Sequence, residues 1–192
     1  EVTPQSFVVG TVVTGAHLTA PRYSHDWLDA NGVGNGLDLF NGSLTTPYGM
    51  RTVIMDFADH PVAGMLYAYI NGDKVEFDGD LHPVYGRTAS SGKYRGKAWC
   101  KFYDGRQTAA DPGLVQLYGD HPFHPWGEDR IGTGVAYGIF TFKFDRELFP
   151  GNPTISAVIK GARFYDRRKD SSNGGSGSHR WDNPATWSYT AN

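Results

Sequence analysis

The ten residues 135–144, VAYGIFTFKF, form the longest apolar alternation in the chain. Their period of two reads as a strand, with Ala136, Gly138, Phe140, Phe142 and Phe144 on the core side and Val135, Tyr137, Ile139, Thr141 and Lys143 on the other. Such a strand needs a sheet. Partners are expected at 6–14, with a bulge or close backbone approach at Gly10, at 50–57, at 65–70, at 96–103 and at 155–165. The connector 145–153 between two of them predicts an antiparallel pair at the centre of one sheet.

The turn chemistry supports many short strands. Asn71-Gly72 is a two-residue hairpin signal that folds 74–77 back on 65–70. In 96–103, Trp99, Lys101 and Tyr103 share one face and Ala98, Cys100 and Phe102 the other, which sends Cys100 into the core. Asp111 as N-cap and Pro112 as first helical residue start a short helix that runs through Leu117 and stops at Gly119. With 25 glycines, 11 prolines and 14% aromatics in 192 residues, the expected class is mainly β, with one or two short helices. Segment 16–49 holds neither period and reads as a long insertion-like loop. Segment 171–178 is Gly/Ser-rich and reads as a flexible loop.

Charge and cysteine usage remove several functions. The 18 basic and 20 acidic residues give a net charge of −2, so there is no electrostatic case for nucleic-acid binding. A single cysteine excludes an intrachain disulfide framework. No apolar run reaches the ~20 residues of a transmembrane helix.

Each chemical candidate has a plainer explanation. Gly32, Gly34 and Gly36 lack the flanking strand, helix and Lys-Ser/Thr of a phosphate loop. Asp73, Glu76, Asp78 and Asp80 lack calcium-loop spacing and read as solvated hairpin carboxylates. Two prolines hold the backbone around His121 and His124 extended, so the segment reads as a rigid loop pinned by Phe123 and Trp126 rather than a metal site with Glu128 and Asp129. A hydrolase would need Asp56 and Asp59, or the histidine pair, to converge, and no nucleophile-elbow or zincin pattern is present. Trp27, Trp126, Trp181 and Trp187 are the aromatic platforms a carbohydrate- or receptor-binding β-module would use. No catalytic residue, cofactor or metal is assigned.

The C-terminal part carries a resemblance. Lys160, Gly161, Arg163, Tyr165, Asp166, Arg168, Trp181, Asp182, Asn183, Pro184, Ala185 and Trp187 follow an order that resembles the tail-tip hub family of bacteriophages with long non-contractile tails. This is the tip attachment protein J group, with relatives in prophages and gene-transfer particles. The family has Pro where Arg167 stands. The blocks GKAWCKFYDGRQTAADPGLV, RIGTGVAYGIFTFKFDRELFPG and PQSFVVGTVVTGAHLTAP are similar to such proteins in the same order. The resemblance implies an antiparallel β-sandwich or barrel-like hub domain, here 1–192, cut from a longer chain. It also implies a structural virion protein without enzymatic chemistry, assembled in the host cytoplasm and located at the tail tip. A homotrimer would join the distal tail ring and the tape measure protein to host-attaching parts that meet a surface receptor. Expected partner contacts are Arg163, Arg167, Arg168, Lys169, Trp181 and Trp187.

Overall fold

The computed structural model describes residues 7–15, 17–18, 23–26 and 49–190. The strands are β1 (Thr11–Gly15), β2 (His17–Leu18), β3 (Tyr23–Asp26), β4 (Gly49–Ala58), β5 (Gly64–Ile70), β6 (Asp73–Val75), β7 (Leu81–His82), β8 (Gly86–Thr88), β9 (Ala98–Asp104), β10 (Ala136–Lys143) and β11 (Ile155–Lys160). One α-helix, α1 (Pro112–Tyr118), interrupts them. The protein is therefore mainly β. A four-stranded sheet has the order β1-β11-β5-β6, and a seven-stranded sheet has the order β2-β4-β10-β9-β8-β7 with β3 also on β4. All these pairings are antiparallel, and the described strands close no barrel. Among the described residues no helix is long and apolar enough to cross a membrane.

The two sheets face each other across one core. Phe140 and Phe142 of β10, Val53 and Phe57 of β4, and Ala98 and Cys100 of β9 meet Ala157 and Ile159 of β11 and Ala68 and Ile70 of β5. Alternation along β9 and β11 selects these residues, because only every second side chain reaches the facing sheet. At Gly138 a Cβ would stand 2.6 Å from the Phe140 ring, so the missing side chain leaves room for the aromatic packing.

β10 is buried on both sides. Tyr137 and Ile139, expected opposite the core, lie under a second apolar layer with Ile54, Leu114, Tyr118 and Trp126. Helix α1 supplies part of that layer, and the Asp111 carboxylate caps it by accepting the Leu114 N–H at 2.7 Å.

Four expectations need correction. β10 and β11 do not pair: β10 sits between β4 and β9, and β11 between β1 and β5 in the other sheet. The connector crosses from sheet to sheet, with Phe149 packed on Phe142. Phe144 lies past the end of β10 and is exposed, and Phe123 is exposed too; its loop is held instead by buried Trp126 and by the Tyr23 hydroxyl, which donates to the His124 carbonyl at 2.9 Å. Segment 16–49 is not wholly irregular, since β2 and β3 pair with β4 and Tyr23 stacks on Tyr118 with centroids 4.1 Å apart. Trp27 and the glycines 32, 34 and 36 lie outside the described residues.

The strand expected over 155–165 ends at Lys160, whereas two turn-level readings hold. Asn71 and Gly72 take φ of 52° and 86°, the backbone that a two-residue hairpin turn requires. Gly10 takes φ of 74°, and a Cβ there would meet the Tyr189 carbonyl at 2.8 Å.

Candidate functional site

Beyond β11 the chain builds a cap, residues 162–190, whose buried side chains, Asp166, Asp170 and His179, are polar and hydrogen-bonded. Its frame is three short 3-10 turns, 167–169, 171–173 and 184–186, none with a buried residue. Each turn is capped by an acidic or amide side chain accepting the N–H two residues on: Asp166 from Arg168, Asp170 from Ser172 and Asn183 from Ala185. Short polar side chains at this spacing replace the missing backbone partners of a turn.

Asp170 is the centre. It is fully buried, and its carboxylate accepts from the Tyr165 hydroxyl at 2.7 Å, the Asn173 amide at 3.2 Å, an Arg180 Nη1 at 3.2 Å and the Ser172 hydroxyl. The Ser172, Tyr165 and Asn173 donors hold its carboxyl well below the usual carboxylate range. Asp166 takes the Arg168 guanidinium in two bonds, at 3.0 and 2.7 Å, which holds its pKa down at about 2. Buried His179 accepts the Asp166 N–H on Nδ1 at 3.1 Å.

The 171–178 segment, expected as a flexible loop, is stitched into this frame. Gly175 N–H donates to the Asp170 carbonyl, Ser176 N–H to the Arg168 carbonyl and Ser171 N–H to the Gly177 carbonyl. A Gly/Ser run cannot build an apolar core, but its uncluttered backbone can come this close. A Cβ on Gly175 would stand 2.3 Å from the Arg168 carbonyl oxygen.

The expected contact residues all lie in the cap, each with its own partner. Arg163 donates to the Ala185 carbonyl at 3.0 Å, and it and Lys160 each lie 5.2 Å from the centre of the Tyr189 ring. Arg167 donates to the Asn173 carbonyl and Lys169 to the Thr190 carbonyl. The Trp187 indole donates to the Arg180 carbonyl at 2.9 Å, which leaves Trp187 half-buried, whereas Trp181 meets Tyr165 edge-on and is 69% exposed. Arg167 and Arg168 are exposed as well, but Arg168 is already paired. Asp170, His179 and Arg180, which tie the cap, did not stand out as site residues in the sequence; the repeated Asx-turn spacing was the signal that could have found them.

The cap is fixed to the sandwich at a three-way crossing. Gly161 and Ala162 N–H groups donate to the Gly10 and Val8 carbonyls, Gly10 N–H to the Ala162 carbonyl and Thr11 N–H to the Tyr189 carbonyl.

The other candidates do not converge. His121 accepts the Phe123 and His124 N–H groups on Nδ1, and among the described residues no group of three His, Cys, Asp or Glu is placed to hold a metal ion. Asp73 and Glu76 pair with Lys93 and Lys74. Cys100 is buried, and desolvation pushes its thiol far up. Buried Asp111 is bound by Lys101 at 2.7 Å and the Tyr103 hydroxyl at 2.6 Å, a polar strut beneath α1. Scanned against protein-family models the chain matches none, and no curated protein matches it.

Proposed function

We propose that this chain is a structural subunit of the tail-tip hub of a phage or prophage particle. In this reading it closes the distal tail tube and connects it to host-attachment parts. One observation carries the reading: residues of the C-terminal motif that bears the resemblance help to build the cap and its junction, together with Asp170, His179 and Arg180. Gly161 makes the crossing, Asp166 and Arg168 pair, Asn183 caps the last turn, Arg163 holds Ala185, and Trp187 holds Arg180. Residues spread over the 27 positions from Gly161 to Trp187 thus serve one local structure. Assembly also suits a chain whose polar side chains tie loops rather than converge on a reactive atom. Partners under this reading are two further copies, the distal tail ring and the tape measure protein.

Mass spectrometry of purified tails, with antibody labelling of the chain in particle images, tests it. The chain is expected at the distal end; its absence from particles would refute the proposal. A carbohydrate- or receptor-binding module is the second reading, and Trp181, held out in solvent, is what favours it. Glycan-array binding abolished by Trp181→Ala would select that reading instead.

A further inference from the structure

The cap combines an exposed indole with uncompensated positive charge. Between 160 and 182 stand six Lys or Arg and three Asp, in a chain where acids outnumber bases. Asp166 and Asp170 are taken by Arg168 and Arg180, and among the described residues no carboxylate pairs with Lys160, Arg163, Arg167 or Lys169. Trp181, on the same cap, is 69% exposed and meets edge-on, at 5.4 Å between ring centres, the ring of Tyr165, which stands between Arg163 and Arg167 in sequence. Its preceding residue is rigidly held: the Arg180 guanidinium donates to Asp170, Ser171 and the Gly177 and His179 carbonyls, while its own carbonyl accepts the Trp187 indole.

An indole needed for folding would be covered. This one is displayed on a frame whose buried side chains, Asp166, Asp170 and His179, are polar, and an exposed aromatic on a cation-rich frame is the composition of an interface anchor that binds at low entropic cost. We infer that the cap is a docking surface for an acidic protein partner, Trp181 entering an apolar notch while Arg163, Arg167, Lys160 and Lys169 face carboxylates around it. The inference rests on the assembly reading and names the chemistry of the partner: a neighbouring polypeptide of the particle with an acid-rimmed pocket.

Zero-length carbodiimide coupling of intact particles, followed by peptide mass spectrometry, reads this chemistry directly, because it joins a lysine amine only to a touching carboxylate. The expected product links Lys160 or Lys169 to an Asp or Glu of a different polypeptide. Trp181 is expected to be protected from hydroxyl-radical oxidation at least about tenfold relative to the isolated chain. Trp181→Ala, at a largely exposed site, is expected to lower incorporation by a similar factor while leaving the Tm of the isolated chain near that of the parent, with Trp181→Phe retaining most of the incorporation. Particles that contain the chain but give no such link and leave Trp181 unprotected overturn the inference alone. Particles that lack the chain remove the assembly reading and this one with it. Flotation of the isolated chain with phosphatidylglycerol vesicles, lost in Trp181→Ala, would also overturn it, by showing that the surface meets a membrane.

Discussion

Gly161→Ala is the sharpest test of how cap and sandwich are joined. The added Cβ would stand 2.1 Å from the Val8 carbonyl oxygen and 2.5 Å from its carbon, both backbone atoms that cannot rotate away. Segment 8–10 must therefore retreat until the contact reaches ordinary distances of 3.4 Å or more. That displacement breaks three of the four backbone bonds of the crossing, Gly161 N–H to Gly10, Ala162 N–H to Val8 and Gly10 N–H to Ala162, at 2.8, 2.9 and 2.8 Å. At about 1 kcal/mol net for each bond, the expected loss is about 3 kcal/mol. For a chain of this length that is a fall of about 6–12 °C in Tm. Urea and thermal unfolding followed by circular dichroism measure it. Gly15→Ala is the control, since nothing lies within 4 Å of a Cβ there. The control is expected within about 0.5 kcal/mol of the parent chain. A Gly161→Ala protein as stable as that control would refute the account of the junction.

Lys101→Met removes the cation from buried Asp111 but leaves it the Tyr103 hydroxyl and the Leu114 N–H, so urea denaturation is expected to show a loss of about 3 kcal/mol. A loss below about 1 kcal/mol would mean the pair is not a strut. The Asp166 carboxyl, held down mainly by the Arg168 guanidinium to about 2, contributes stability that is present above the unfolded value of 3.8 and lost as pH falls towards 2. Asp170 is shifted in the same direction, so the Trp187 indole N–H resonance is expected to persist at about pH 5 and to vanish between about pH 4 and 2. Its disappearance above pH 5 would contradict this. Cys100, buried and with its thiol raised by desolvation, is expected to ignore Ellman's reagent at about pH 8 until guanidinium unfolds the chain. Labelling of the native protein within minutes would place the thiol elsewhere.

The strands were legible because alternation reports directly which side chains reach a facing layer. β9 is the clearest case: Ala98, Cys100 and Phe102 turn to the core between the sheets, while Trp99 and Tyr103 turn to the layers outside it. Alternation carries no information about which sheet a strand joins. The connector after β10 could have folded back in its own sheet; instead Phe149 finds Phe142 and Tyr94, and the chain crosses to the other side of the core. The second layer over Tyr137 and Ile139 is hidden for a related reason, since it joins α1 and Trp126 to Tyr23, which lies 91 positions before Leu114 and 103 before Trp126. The contact residues on the cap follow from the resemblance, but their scaffold does not follow from composition, because a Gly/Ser-rich segment is ordered here by hydrogen bonds. Apolar content predicts whether a segment can bury a core; it does not count the hydrogen bonds that one carboxylate can gather, and Asp170 gathers donors from four side chains.

That difference in bonding decides how the two halves respond to a load. The sandwich is held by apolar area, which is non-directional and tolerates small shifts, whereas the cap is held by short directional bonds that fail once their geometry is lost. Between them there is no flexible linker: β11 runs directly into Gly161, segment 8–10 is bonded to 161–162, and Tyr189 returns to Thr11. A partner pulling on Trp181 or Arg163 therefore strains the end of β11, an inner strand of its sheet with Ala157 and Ile159 fully buried in the core. A docking surface tethered by a loose hinge would turn with its partner and leave the sandwich undisturbed. Here the orientation of the cap is fixed by the same bonds that hold the first and last described segments to β11, so binding at the cap also fixes the direction in which the sandwich points.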